Sequence, residues 1–205
     1  MAQVFPTKTN LMNTKKSLDL SKLGYELMDR KRNILVREMM LLIDKVSGLQ
    51  AKVFETYKRA YDALQKSYIT LGDCKSFAEN VPVDDSLSVD YRSVMGVELP
   101  MVKIGEGKEN AFYGLQRTNS MLDEAYLEFQ KVKELTAELA EVENCVYRLA
   151  DAISKTQKRA NALENILIPD FESTVKFISD ALEEKEREDF SRLKVTKNQK
   201  ENTKM

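Results

Sequence analysis

Side chains that could carry out bond chemistry are scarce in this sequence of 205 residues. The chain has no histidine, so the commonest general base of enzymes is absent. The segment Gly105-Glu106-Gly107-Lys108 has the glycines and lysine of a phosphate loop, but the glycine spacing is wrong and no Ser or Thr follows the lysine. We interpret it as a turn and predict no catalytic residue and no cofactor.

Two other patterns could in principle hold a metal ion. Residues 183–189 are rich in carboxylates, but Lys185 and Arg187 interleave with them, as on a solvated helix face with ion pairs. The two cysteines, Cys74 and Cys145, form neither a disulfide framework nor a Cys/His cluster. We therefore predict no metal site, and we expect both thiols to be buried or half-buried in a reducing compartment.

The strongest pattern is a pair of apolar heptad stripes, one towards each end of the chain. The first stripe comprises Met28, Leu35, Met39, Leu42, Val46, Leu49, Val53, Thr56, Ala60 and Ala63. The second comprises Leu135, Leu139, Val142, Val146, Leu149, Ile153, Thr156, Ala160, Leu163 and Leu167. From Leu35 onward, and throughout the second stripe, the steps alternate between four and three residues. This gives a period of about 3.5, which predicts a left-handed supercoil. We predict an all-α fold, a long antiparallel two-helix left-handed coiled coil with a small middle module that contains a β-hairpin.

Glycine and proline divide the chain into four predicted segments. Most of the seven glycines and four prolines lie between residues 72 and 114, where they exclude a continuous helix. We predict an N-terminal coiled-coil helix over residues 1–71, a middle module over 72–114, and a C-terminal coiled-coil helix over 115–194 that is kinked near Pro169. The polar, lysine-rich residues 195–205 are predicted to be disordered.

The middle module contains two β-like runs, residues 88–97 and 99–104, which predict a hairpin. A two-stranded hairpin is marginally stable in water by itself. We therefore expect the module to pack on the end of the coiled coil or on another protein. A chain that turns near residue 94 would place Leu35 near Ala152.

Charge and hydropathy exclude several classes of protein. The 32 basic and 33 acidic residues nearly cancel, which argues against a general nucleic-acid binder. No stretch approaches the ~18 apolar residues of a membrane span, so we expect no direct membrane insertion. Residues 1–10 lack the apolar core of a signal peptide. These observations predict a cytoplasmic protein.

Two basic clusters fall at similar heights if the chain folds back as predicted. One is Arg30-Lys31-Arg32, and the other is Lys158-Arg159. They are either ordinary surface charge or a positive collar that contacts acidic loops of a surrounding protein, and the sequence leaves both interpretations open.

An ordered set of segments resembles a known family over nearly the whole chain. The segments are Pro6-Thr7-Lys8, residues 24–35, Val94-Met95-Gly96-Val97 with Pro100, residues 158–169, and residues 182–194. Together they resemble the D subunit of the V-type and A-type rotary ATPases, with Met28 and Asn33 as departures from its pattern. Unrelated coiled coils share heptads, but they do not share this set.

The resemblance implies a central-stalk rotor subunit that does no bond chemistry itself. It would couple ATP hydrolysis or synthesis in a catalytic hexamer to H⁺ or Na⁺ transport, as a peripheral part of a membrane-bound ATPase. The implied partners are the catalytic and non-catalytic subunits of the hexameric head, the F subunit, and the subunit that caps the rotor ring. The residues expected to contact the hexamer are Arg30, Lys31, Arg32, Lys158, Arg159, Glu183 and Arg187. Those expected to contact the F subunit or the rotor base are Val94, Met95, Val97, Leu99 and Met101.

A static coiled-coil scaffold or tether is the alternative from another functional class. Heptad periodicity does not distinguish the two, because both need a stiff helix pair. Co-purification with ATPase subunits and a small F subunit would favour the rotor.

Overall fold

The structure is a computed structural model that describes residues 5–81, 83, 85–105 and 118–202, with side chains up to residue 199. The helices and strands are α1 (Lys8–Leu71), α2 (Lys75–Ala78), β1 (Leu87–Val94), β2 (Val97–Ile104), α3 (Ser120–Ala162), a π-turn (Leu163–Leu167) and α4 (Ile168–Asn202). This order confirms the predicted helical fold with a small hairpin in the middle.

Helix α4 continues beyond the point where the sequence predicted disorder. Residues 195–202 are helical, so that prediction is wrong for them. They contain no glycine or proline, and lysine, glutamine and glutamate are good helix formers. Residues 203–205 and residues 106–117, which include most of the predicted turn at 105–108 and the start of the predicted C-terminal segment, lie outside the described residues.

The chain divides into two compact units. Unit 1 consists of Met1–Arg32 and Ser154–Met205, and unit 2 consists of Asn33–Ile153. Each unit therefore takes one part of α1 and one part of the returning helical segment.

In unit 1 the two helical segments run antiparallel. The Nζ atom of Lys8 lies 3.0 Å from a carboxylate oxygen of Glu186, and that of Lys22 lies 2.8 Å from one of Glu172. Residue numbers rise on one helix as they fall on the other, which defines the antiparallel direction. The buried side chains of unit 1 along this seam are Thr156, Ala160 and Ile178.

Unit 2 shows the same direction of pairing. The Nδ2 group of Asn119 donates a hydrogen bond to Oγ1 of Thr70 at 2.7 Å, and the hydroxyls of Tyr57 and Thr136 lie 3.2 Å apart. Ala152 packs against the apolar cluster that contains Leu35, as the predicted pairing required.

Nearly all predicted seam positions are covered. Every member of the first stripe and nine of the ten members of the second are buried or half-buried. Leu167 is the exception, with 40% of its surface exposed, so its assignment to the seam is wrong.

The π-turn explains the exposure of Leu167. After Leu163 the next half-buried apolar residue is Ile168, five positions on rather than four. A π-turn accommodates one extra residue in a helix, so the seam resumes one position later. Pro169 supplies the cause, since its ring has no N–H and would clash with the carbonyl of Asn165 in a regular α-helix. The seam then continues through Phe171, Val175, Ile178 and Leu182.

The hairpin turns at Met95-Gly96, inside the first of the two predicted β-like runs. Both residues have positive φ, 51° and 77°, which is the conformation of a two-residue type I′ turn. The strands are antiparallel, with Val94 opposite Val97 and Leu87 opposite Ile104. The predicted strand boundary is therefore wrong by several residues, because the conformational freedom of Gly96 fixes the turn earlier.

The hairpin packs beside the helices of unit 2 rather than on their end. Leu99 of β2 is buried in a cluster with Leu35 of α1 and with Cys145 and Leu149 of α3. Helix α1 runs to Leu71, roughly 50 Å beyond Leu35 at 1.5 Å per residue. The expectation of packing on the end of the coiled coil is thus wrong, because the apolar partners lie midway along α1 and α3.

Both cysteines are free and buried, as expected. The Sγ atom of Cys145 lies 3.3 Å from the carbonyl oxygen of Pro100, and that of Cys74 lies 3.5 Å from the hydroxyl of Ser67. Burial raises the pKa of the Cys145 thiol above its ordinary value, and the neighbouring Glu141 raises it further. Both thiols therefore act as small apolar core residues.

Candidate partner-binding surfaces

The first basic cluster, in unit 1, contains residues in different environments. Arg30 is exposed and lies 3.7 Å from Glu26. Arg32 is only 30% exposed, and its Nη1 donates a hydrogen bond to Oε1 of Gln157 at 2.8 Å. Arg32 therefore links the two helical segments of unit 1, whereas Arg30 is directed towards solvent.

The second basic cluster lies at the level of the first. Gln157, the partner of Arg32, immediately precedes the exposed Lys158 and Arg159. Carboxylates also lie here, because Asp29 forms an ion pair with Arg32. About two helical turns away, Glu164 raises the pKa of the Tyr25 hydroxyl, from which it accepts a hydrogen bond. The collar is therefore mixed in charge, which a search for basic runs does not detect.

Glu183 and Arg187 belong to a different part of unit 1. Their side chains lie 3.6 Å apart on α4 and are both mainly exposed. They follow Arg159 by about 25 residues, or roughly 40 Å of helix. The structure does not bring them together with the two basic clusters.

The end of α4 is exposed on all sides among the described side chains. Every residue from 183 to 199 is exposed, including Phe190 and Leu193, which lie one helical turn apart. Exposed aromatic and aliphatic side chains at helical spacing are typical of a surface that a partner covers. This surface was missed by the sequence-based site predictions.

The predicted hairpin contacts separate into two sets. Leu99 is buried, and Val94 and Val97 pack against the same cluster, so these three anchor the hairpin to its own helices. Met95 and Met101 are exposed. Of the five predicted contact residues, only Met95 and Met101 therefore present a surface to another molecule.

A different face of the hairpin is exposed. Leu87, Val89 and Tyr91 alternate along β1, and 53%, 44% and 59% of their surfaces are exposed. Side chains at alternate positions of a strand share one face, so these three form a continuous apolar strip. Their period-two spacing in the sequence was the signal that could have identified them.

Side chains of α3 hold the outer edge of β2. The guanidinium of Arg148 donates to the carbonyl of Glu98 at 3.1 Å, and the Cys145 thiol donates to that of Pro100 at 3.3 Å. The N–H of Val102 donates to a carboxylate oxygen of Glu141 at 2.5 Å. Residues 141, 145 and 148 lie on one face of α3, so this face closes one edge of the hairpin.

An aromatic cluster on unit 2 is partly exposed. The rings of Tyr57 and Tyr61 stack with centroids 6.2 Å apart, and Phe129 meets Tyr61 edge-on at 5.6 Å. Tyr61 and the nearby Phe54 are both mainly exposed. Such rings are common anchors of protein–protein interfaces.

The described part of the chain offers little for ligand chemistry. Among its residues no group of three or more His, Cys, Asp or Glu side chains is placed to hold a metal ion. Within the same residues no helix is both long and apolar enough to cross a bilayer.

Comparison with known proteins relates these surfaces to a family. The sequence model of the family described as the ATP synthase D subunit matches residues 10–198. The chain is 43% identical to the V-type ATP synthase D subunit of Thermotoga neapolitana over 95% of the chain and 97% of that protein. It is 37% identical to the A-type ATP synthase D subunit of Thermococcus kodakarensis (96% and 94% covered) and 34% identical to that of Pyrococcus abyssi (95% and 94%). The chain belongs to the family of ATP synthase D subunits.

Proposed function

We propose that this chain is the central-stalk rotor subunit of a V-type or A-type rotary ATPase. It couples ATP hydrolysis or synthesis in a hexameric head to H⁺ or Na⁺ transport and performs no bond chemistry itself. The observation that carries the proposal is the family match over residues 10–198, which spans both helical segments and the hairpin.

Torque transmission requires a stiff element, and both units supply local stiffness. The 64-residue helix α1 is continuous, and its apolar seam is covered by the returning segment within each unit. A seam of many interlocking layers resists register slip. An asymmetric shaft would stabilise different conformations in otherwise equivalent catalytic sites, because each site would meet a different surface.

The proposed partners are assigned to separate surfaces. The catalytic and non-catalytic subunits of the head contact the mixed-charge collar of unit 1, with exposed Arg30, Lys158 and Arg159 as the main cations. Lys31 and Arg32 support this collar from half-buried positions, and Glu183 and Arg187 contribute a separate contact on α4. The F subunit or the rotor-ring cap subunit contacts the hairpin of unit 2, where Met95 and Met101 are exposed. The complex is peripheral to the cell membrane on its cytoplasmic side.

Rotation distinguishes a rotor from a static scaffold inside the same complex. We would replace exposed Lys158 with cysteine and form a disulfide to a cysteine placed on a facing head subunit. ATPase activity should stop on oxidation and return on reduction, since a rotor cannot turn while tethered. Lys158→Cys without the facing cysteine is the matched control, and it should keep its activity under the same oxidation. Full activity of the cross-linked complex would favour a static scaffold, and failure to co-purify with ATPase subunits would exclude the rotor.

A further inference from the structure

The hairpin has one closed edge and one open edge. In an antiparallel pair, residues at alternate positions turn their N–H and C=O groups outward. The tight turn makes Val94 and Val97 a hydrogen-bonded pair, so the outward positions of β2 are 98, 100 and 102. These are the three positions whose backbone groups bond to side chains of α3.

The corresponding outward positions of β1 are Val89, Tyr91 and Ser93. Within the described residues, their outward backbone groups have no hydrogen-bond partner, and all three residues are exposed. They present alternating donors and acceptors along one strand, a row that only another extended backbone matches in spacing and direction.

Several of the features that natural proteins use to block an exposed edge are missing from β1. The strand contains no proline, no lysine and no bulge, and its register with β2 is regular over eight pairs. The proline of the hairpin, Pro100, lies on the edge already held by α3. The charges of β1 are paired within the chain, Asp90 with Lys103 at 2.7 Å and Arg92 with Glu38 at 3.8 Å.

We propose that β1 receives an extended strand from another subunit of the ATP synthase, which adds a third strand to the hairpin. The inference rests on the proposed function, because it takes the occupant from the assembled complex. Leu87, Val89 and Tyr91 form the adjacent exposed face. The incoming strand therefore carries apolar residues at every second position on that face.

The direct test is amide hydrogen exchange, resolved to single residues, in the isolated chain and in the assembled complex. The amides of Val89, Tyr91 and Ser93 should exchange at least about tenfold more slowly in the complex, because each gains a backbone hydrogen bond. Those of Ser88 and Asp90 point towards β2 and should be protected in both states.

Two variants at Ser93 separate the effect of the backbone N–H on binding from the effect of the side chain. Ser93→Pro removes one outward N–H while leaving the bonds to β2 intact, and Ser93→Ala keeps that N–H. Incorporation into the complex should fall by about tenfold for S93P and remain unchanged for S93A. Equal protection of the three amides in both states would overturn the inference even if S93P failed to fold.

Three outcomes of these experiments distinguish how the inference could fail. Protection that appears in the isolated chain and rises with its concentration would identify a second copy as the occupant. A chain that never joins an ATPase complex would overturn the proposed function and this inference together. A chain that joins the complex with unprotected β1 amides would overturn this inference alone.

Discussion

The cluster that fastens the hairpin to unit 2 allows a quantitative prediction. Leu35 of α1 is fully buried, and it contacts a cluster formed with Leu99 of β2 and Leu149 of α3. Leu35→Ala removes three buried carbon atoms from a site lined by three separate elements. Truncating a leucine that is buried in this way lowers the free energy of unfolding by about 3 kcal/mol, which is the sum of the lost transfer free energy and the cost of the residual cavity. For a chain of this size the loss lowers the melting temperature by about 6–12 °C.

The assay is thermal and urea unfolding of the isolated chain, followed by circular dichroism. Leu41→Ala is the matched control, because Leu41 lies on the same helix but is 61% exposed, and its loss should cost less than about 0.5 kcal/mol. The double variant with Leu99→Ala tests the contact itself. We expect a coupling free energy of about 1–2 kcal/mol between residues 35 and 99, because they share one cluster.

Equal destabilisation by the two single substitutions at positions 35 and 41 would refute the packing of the cluster. A coupling free energy near zero between positions 35 and 99 would instead show that the hairpin is not seated on α1. These two results separate the burial of Leu35 in the helix pair from its contact with the hairpin.

Three other regions give predictions of their own. Folding raises the pKa of the Cys145 thiol, so the contribution of this thiol to stability is complete below its unfolded pKa of about 8.5 and is lost as pH rises above it. In urea unfolding from pH 7 to 10, the free energy of unfolding should therefore fall more steeply for the unmodified chain than for Cys145→Ala. Deleting Asn165 and replacing Pro169 with alanine should restore a regular α-helix without shifting the seam. The melting temperature should then stay equal or rise, and a large fall in it would contradict the one-residue insertion. Arg32→Ala should lower the free energy of unfolding by about 1 kcal/mol, because it removes the hydrogen bond to Gln157 across unit 1. Arg30→Ala should lower it by less than about 0.5 kcal/mol, because Arg30 is exposed. Equal losses in thermal unfolding would contradict these different roles of the two arginines.

The helical seam was predictable from the sequence because it depends on one local rule. Apolar residues at steps of three and four must face a partner, and the structure covers them. The rule failed at Leu167 because Pro169 changes the helix geometry upstream of itself, at the carbonyl four residues earlier. A heptad count contains no information about such a backbone adjustment.

The candidate site was less predictable because exposure depends on long-range contacts. Five apolar residues of the hairpin were assigned to partners, among them Leu99, which fills a gap between Leu35 and Leu149. Sequence alone identifies Leu99 as apolar but does not indicate which molecule covers it. The basic clusters show the same limitation, since Arg32 and Arg30 are two residues apart and only Arg32 bonds to the opposite segment.

The attachment of the hairpin also constrains what it can do in an assembly. Leu99 anchors one face to the helices, and the side chains of Glu141, Cys145 and Arg148 close the edge of β2. β2 is partly buried and β1 is exposed because β2 lies against α3 and Leu99 packs on both α1 and α3. A protein that binds β1 would be joined to α3 through a hydrogen-bonded sheet rather than through a flexible loop. Force applied at that contact would pass directly into the helix pair of unit 2, which is the mechanical property that the proposed rotor function requires.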